Sequence, residues 1–157
     1  MPLFVASRGQ PIDFDGQRLH PALHLEIAPG SRLHILFESS VSEPVQGLIL
    51  SARRPKHRLT VDDTSARVLV LWRDTAPRHT EISLPKARQT IPVAIHNVWR
   101  DQKHGTTMYG VNAAAMRITV EGPGKWLLEC SDGWGTEAHF EDLVARVIIE
   151  PLLGGAA

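Results

Sequence analysis

Residues 23–37 read Leu23-His24-Leu25-Glu26-Ile27-Ala28-Pro29-Gly30-Ser31-Arg32-Leu33-His34-Ile35-Leu36-Phe37, and this stretch decides the fold. Leu23, Leu25 and Ile27 alternate with His24 and Glu26; after the Pro29-Gly30 break, Leu33, Ile35 and Phe37 alternate with His34 and Glu38. A strand turns successive side chains to opposite faces, so alternation sends one set to a core and the other to water or to a site. Two such runs around a short break predict two strands, each covered on one face.

The same period recurs outward from this stretch. Ile91, Val93 and Ile95 alternate with Pro92, Ala94 and His96, and Met116, Ile118 and Val120 alternate with Arg117, Thr119 and Glu121 ahead of Gly122-Pro123-Gly124. Leu48–Leu50, Glu81–Leu84 and Trp126–Cys130 are shorter apolar segments. Arg67–Trp72 (RVLVLW) is apolar on both parities, which predicts a central strand covered on both faces. Residues 136–150 carry two patterns. Phe140, Leu143, Val144 and Val147 fit a helix capped by Thr136, whereas Leu143, Ala145, Val147 and Ile149 alternate, and the β-branched residues there favour a strand.

These segments amount to about eight to ten strands separated by Gly, Pro, Asp and Ser clusters. The predicted fold is all-β: an antiparallel β-sandwich, of the jelly-roll kind, in one domain over residues 1–157. Pro44, Pro85 and Pro92 are expected at sheet edges, and Trp72, Trp99 and Trp126 in the core.

Composition removes several function classes. The 17 Lys+Arg cancel the 17 Asp+Glu, so nucleic acid is not an expected partner. The basic run Arg53–Arg58 meets Asp62-Asp63 at once and reads as a solvated loop. A single cysteine, Cys130, excludes an internal disulfide and a multi-cysteine zinc site. No run approaches the roughly 18 apolar residues of a membrane span, and the first residues lack a secretory pattern, so a cytoplasmic location is expected. Neither a Gly-x-Ser-x-Gly elbow nor a phosphate-cradling glycine loop occurs, and no catalytic residue or cofactor is expected.

The residues that point to chemistry are aromatic and polar. His96-Asn97-Val98-Trp99-Arg100-Asp101 leads from a strand end into a polar segment, Tyr109 and Asn112 follow, and Ser131-Asp132-Gly133-Trp134-Gly135 forms another loop. A flat ring packs on the C–H face of a sugar while neighbouring polar groups read its hydroxyls. Asn97, Trp99, Arg100, Tyr109, Asn112, Asp132 and Trp134 are therefore the expected ligand-binding residues of a non-catalytic module for a saccharide-like small molecule or glycan. A second reading takes His20, His24, Glu26 and His34 as metal ligands converging on a hairpin. In outline that set resembles the double-stranded β-helix (cupin) metalloenzymes, although the spacing His20-x-x-x-His24-x-Glu26 departs from their motif. A third reading is a structural subunit that assembles into a homo-oligomer through exposed strand edges.

Phe140-Glu141-Asp142-Leu143-Val144-Ala145-Arg146-Val147, with Lys125-Trp126-Leu127-Leu128-Glu129 before it, resembles the closing strands of galactose-binding-domain-like jelly-roll modules. The resemblance implies a sandwich whose loops at one end bind glycans or other ligands. It also implies a structural calcium near the N-terminus, for which Asp13 and Asp15 are the available carboxylates. On this reading Trp134→Ala abolishes ligand binding and leaves the melting temperature within a few degrees; a variant that unfolds would place Trp134 in the core instead.

Overall fold

The break at 28–31 does more than turn the chain. It carries the chain from one sheet to another. In the computed structural model, which describes residues 10–14, 16–100, 107–109, 115–132 and 139–152, the strands before and after the break pair with different partners.

In chain order the strands are β1 (Ile12–Phe14), β2 (Gln17–Leu19), β3 (Leu23–Ile27), β4 (Arg32–Ser40), β5 (Val45–Ala52), β6 (Leu59–Val61), β7 (Thr64–Ala66), β8 (Val68–Trp72), β9 (His79–Ser83), β10 (Ile91–Arg100), β11 (Thr107–Tyr109), β12 (Ala115–Gly122), β13 (Lys125–Ser131) and β14 (Leu143–Glu150). One sheet runs β11-β10-β5-β8, with β3 also paired to β10; the other runs β12-β13-β14-β4-β9-β6-β7. Every pairing is antiparallel, and β1 and β2 form a separate ribbon tied to β12 through reciprocal backbone bonds of 2.9 Å between His20 and Met116. The chain is an antiparallel β-sandwich. No helix among the described residues is long and apolar enough to cross a membrane.

The core forms where the inward rows of the two sheets meet. Leu23, Leu25, Ile27, Leu48, Leu50, Ile91, Val93 and Ile95 come from the five-stranded sheet; Leu33, Ile35, Phe37, Ile82, Leu128, Leu143, Ala145 and Val147 come from the seven-stranded one. Each fully buried side chain of this size contributes about 1.5–3 kcal/mol of transfer free energy. Cys130 lies in the same cluster, and burial pushes its thiol far above the ordinary range, so it acts as a small hydrophobe.

Four expectations need correction. Among the described residues fourteen strands form rather than eight to ten, because β1, β2, β6, β7 and β11 are three-residue segments too short to leave a period in the sequence. The segment RVLVLW is not central: β8 is the last strand of its sheet, and Val68 and Val70 are 43% and 40% exposed while Leu71 faces the core. Strands buried on both faces are β5 and, for most of its length, β10. Trp72 leaves the core cluster as well, because it shares the parity of Val68 and Val70; its ring lies under the Arg100 guanidinium at 4.7 Å. Pro92 sits inside β10, between β3 and β5, and not at an edge. Its carbonyl accepts from the Arg53 N–H at 2.9 Å, just past the last residue of β5, so the missing N–H of Pro92 falls where the neighbouring ladder has ended. Trp99 and Trp126 do pack inward, Trp99 at 4% exposure and Trp126 against the core cluster. Residues 143–150 are strand throughout.

Gly47 is what lets Trp72 lie flat on the outer face of the five-stranded sheet. A Cβ at Gly47 would stand 2.8 Å from both the Leu71 carbonyl oxygen and the Trp72 ring, and the carbonyl is backbone that cannot swing away. Gly47→Ala is expected to lower stability by about 1–3 kcal/mol, measured by urea denaturation. An unchanged midpoint would mean that the Trp72 ring does not cross Gly47.

Candidate functional site

Three inward rows of the sandwich turn polar at the same end, and a fourth strand begins there with a carboxylate beside it. Along β10 the row Ile91, Val93, Ile95 continues as Asn97 and Trp99; along β5 the row Ala52, Leu50, Leu48 ends in Gln46. Trp99 and Gln46 face each other in register across that pair. On the opposite sheet the β13 row Leu128, Cys130 runs on to Asp132, and Asp142 immediately precedes Leu143, the first residue of β14. Cys130 and Leu143 are register partners, so both aspartates emerge at one end of that strand pair.

Hydrogen bonds join the two sheets there. Gln46 Nε2 donates to Asp132 Oδ2 at 3.0 Å and to the Pro44 carbonyl at 3.1 Å; Asn97 Nδ2 donates to the Ser131 carbonyl at 3.1 Å. The Asp132 backbone N–H donates to Asp142 Oδ2 at 3.1 Å, and the His139 N–H to Ser131 Oγ at 3.2 Å. Gln46, Asn97, Trp99, Asp132 and Asp142 are all buried, Asp142 the least so at 8% exposure. Yet among the described residues Gln46 Oε1, Asn97 Oδ1 and Trp99 Nε1 find no hydrogen-bond partner. A buried polar atom left in this state costs about 1–3 kcal/mol. Three of them beside two carboxylates form a cluster with hydrogen-bonding capacity still to use.

Asn97, Trp99 and Asp132, expected from the sequence, are thus brought together. Arg100 is not, because the next residue along a strand faces the other way: it sits on the outer face, bonded to Asp74 Oδ2 at 2.6 Å. Tyr109 is placed in β11 opposite Val98; its side chain, Asn112 and Trp134 lie outside the described residues. The sequence reading missed Gln46, Ser131 and Asp142. Gln46 carried a signal, as the polar residue that ends the inward row of an otherwise apolar strand.

The expected set His20, His24, Glu26 and His34 does not form a site. β3 and β4 are not a hairpin, so His24 and Glu26 face outward from the five-stranded sheet and His34 outward from the seven-stranded one. Glu26 accepts from Thr90 Oγ1 at 2.8 Å, and His20 lies on the bridge to β12. Burial lowers the pKa of His20 and of His96, which neighbours His24. Asp13 pairs with Arg18 at 3.4 Å in the open, and Asp15 lies outside the described residues.

Comparison with family models, with curated proteins and with solved structures gives no match.

The aspartate pair has a titration signature. Burial raises the Asp142 carboxyl from 3.8 to about 6; the negative charge of Asp132 adds to this, and the Asp132 backbone N–H works against it. An acid raised in the folded state contributes stability that is full below its unfolded value and lost as pH rises through its folded value. The Asp142 contribution therefore declines between about pH 4 and pH 6. Asp142→Asn should match the native protein at pH 4 and exceed it by about 1–2 kcal/mol at pH 7, measured by chemical denaturation across that window. A variant that is weaker at pH 7 than at pH 4, relative to the native chain, would contradict the assignment.

Proposed function

We propose that the protein is a non-catalytic binding module that takes a hydroxyl-rich, saccharide-like ligand at the polar end of the sandwich. The observation that carries this reading is the set of unpartnered buried atoms, Gln46 Oε1, Asn97 Oδ1 and Trp99 Nε1, beside Asp132 and Asp142. Two amide oxygens accept, an indole N–H donates, and carboxylates accept strongly. A sugar hydroxyl both donates and accepts, so one vicinal diol can satisfy several of these atoms at once.

The two carboxylates also favour a neutral ligand over an anionic one. Asp132 and Asp142 already share a site whose burial disfavours a second negative charge, as the raised Asp142 shows. A phosphate or carboxylate placed there would meet the same penalty.

The test is a thermal-shift panel of neutral mono- and disaccharides and polyols in chelator-containing buffer. A ligand at 100 times its Kd stabilises by about 2.7 kcal/mol, or roughly 5–10 °C for a domain of this size. Trp99→Phe, which removes the N–H and keeps a ring, should abolish the response while the free protein still folds; Arg100→Ala should keep it. A panel without response, or a response that survives both Trp99→Phe and Asp132→Asn, would overturn the reading.

A further inference from the structure

The outer face of the seven-stranded sheet gathers two histidines and two glutamates at the end of β14 remote from Asp142. In register, His34 of β4 stands opposite Glu81 of β9 on one side and Ile148 of β14 on the other. Glu150, two residues along β14, reaches back so that its Oε2 lies 2.8 Å from His34 Nε2. One ligand atom from each of His34, Glu81 and Glu150 falls within 4.8 Å of the other two. The second ring nitrogen of His34, Nδ1, lies 2.8 Å from His79 Nε2, with the two rings 5.0 Å apart.

We propose that His34, Glu81 and Glu150 bind a divalent transition-metal ion of the zinc type, with His79 as the residue that orients His34. Calcium and magnesium require six or more oxygens, whereas one imidazole with two carboxylates suits a borderline ion in four-coordination. The arrangement of His79 fits this. A ligating histidine uses one nitrogen on the metal and donates the other N–H to a fixed acceptor, which here is His79 Nε2. With no metal bound, the same pair is satisfied by the other tautomers: His34 Nε2–H donates to Glu150, and His79 Nε2–H donates to His34 Nδ1. The two carboxylates supply the negative charge that a bound dication needs.

Three protein ligands leave a fourth position for water or a ligand, the arrangement of open zinc sites. His79 and Glu81 also line a cleft of about 440 Å³ that includes Trp72, Thr75 and Pro77. The cleft is large enough to admit a small molecule next to Glu81. One contact competes with the metal: Arg32 Nη1 holds Glu81 Oε1 at 2.8 Å. Both side chains are exposed, at 59% and 43%, and such pairs are weak.

The experiment is calorimetric titration of the full chain, stripped with chelator, with Zn²⁺ alone. A Co²⁺-loaded sample serves to read four-coordinate geometry from its visible spectrum. One ion per chain is expected. Glu150→Gln and His34→Ala should each lose binding by a hundredfold or more, and His79→Ala by roughly 10–100-fold. Arg32→Gln should tighten binding, because it frees Glu81, and His24→Ala on the opposite sheet should leave it unchanged. Should His34→Ala fail to fold, Glu150→Gln at a part-exposed position decides alone. No saturable binding, binding that survives Glu150→Gln, or a loss with His24→Ala as large as with Glu150→Gln would overturn the proposal. Chelator in the saccharide panel keeps the two proposals separable.

Discussion

The ladder between β4 and β14 is the interaction on which the rest of the structure depends. It puts Leu33, Ile35 and Phe37 beside Ala145 and Val147 and forms the middle of the seven-stranded sheet. It also carries both candidate sites, since Asp142 enters β14 at one end and Glu150 leaves it at the other. A slip of one residue would turn the core row outward and disperse both clusters. The register is held by a bulge in which Glu38 is the extra residue between the pairs Phe37–Ala145 and Ser39–Val144. The carboxylate of Glu38 meets Arg146 at 3.1 Å and Arg78 at 3.2 Å, so the residue that breaks the ladder is anchored to both flanking strands.

The two ends of β14 illustrate different ways of placing polar groups on a sandwich. Around Glu150 the histidines and glutamates are on the outer face, where water shares their charge and a cation can enter. Around Asp142 the polar residues continue the inward rows, and the cost of burial is visible in the raised carboxyl and in the unpartnered amide and indole atoms. A core with no purpose beyond stability gains by keeping those rows apolar. The departure from that rule falls on three inward rows, from both sheets, at one end of the sandwich.

Much of this was legible in the sequence because alternation is a local property. Leu23–Phe37 gave the two strand spans and their buried faces, and Asn97, Trp99 and Asp132 stood out because each lies at the polar end of a readable run. What depended on partners distant in the chain was not legible. The Ala28–Ser31 segment reads equally well as a hairpin turn or as a crossing between sheets, and choosing the hairpin produced the mistaken grouping of His24 and Glu26 with His34. Residues 34, 79, 81 and 150 are joined only by sheet order, so no spacing announced them. Val68 and Val70 show the remaining limit: an apolar residue on the second face of a strand does not reveal whether another layer covers it.

On the proposed reading, a ligand completes the hydrogen bonding of the unpartnered atoms at the polar end. The most direct measurement is the indole N–H resonance of Trp99, followed by nitrogen-edited NMR as neutral saccharides are titrated in. A saturable shift of Trp99 is expected, with Trp72 and Trp126 unmoved. A resonance that stays fixed at saturating concentration, or a shift confined to Trp72 on the outer face, would contradict it.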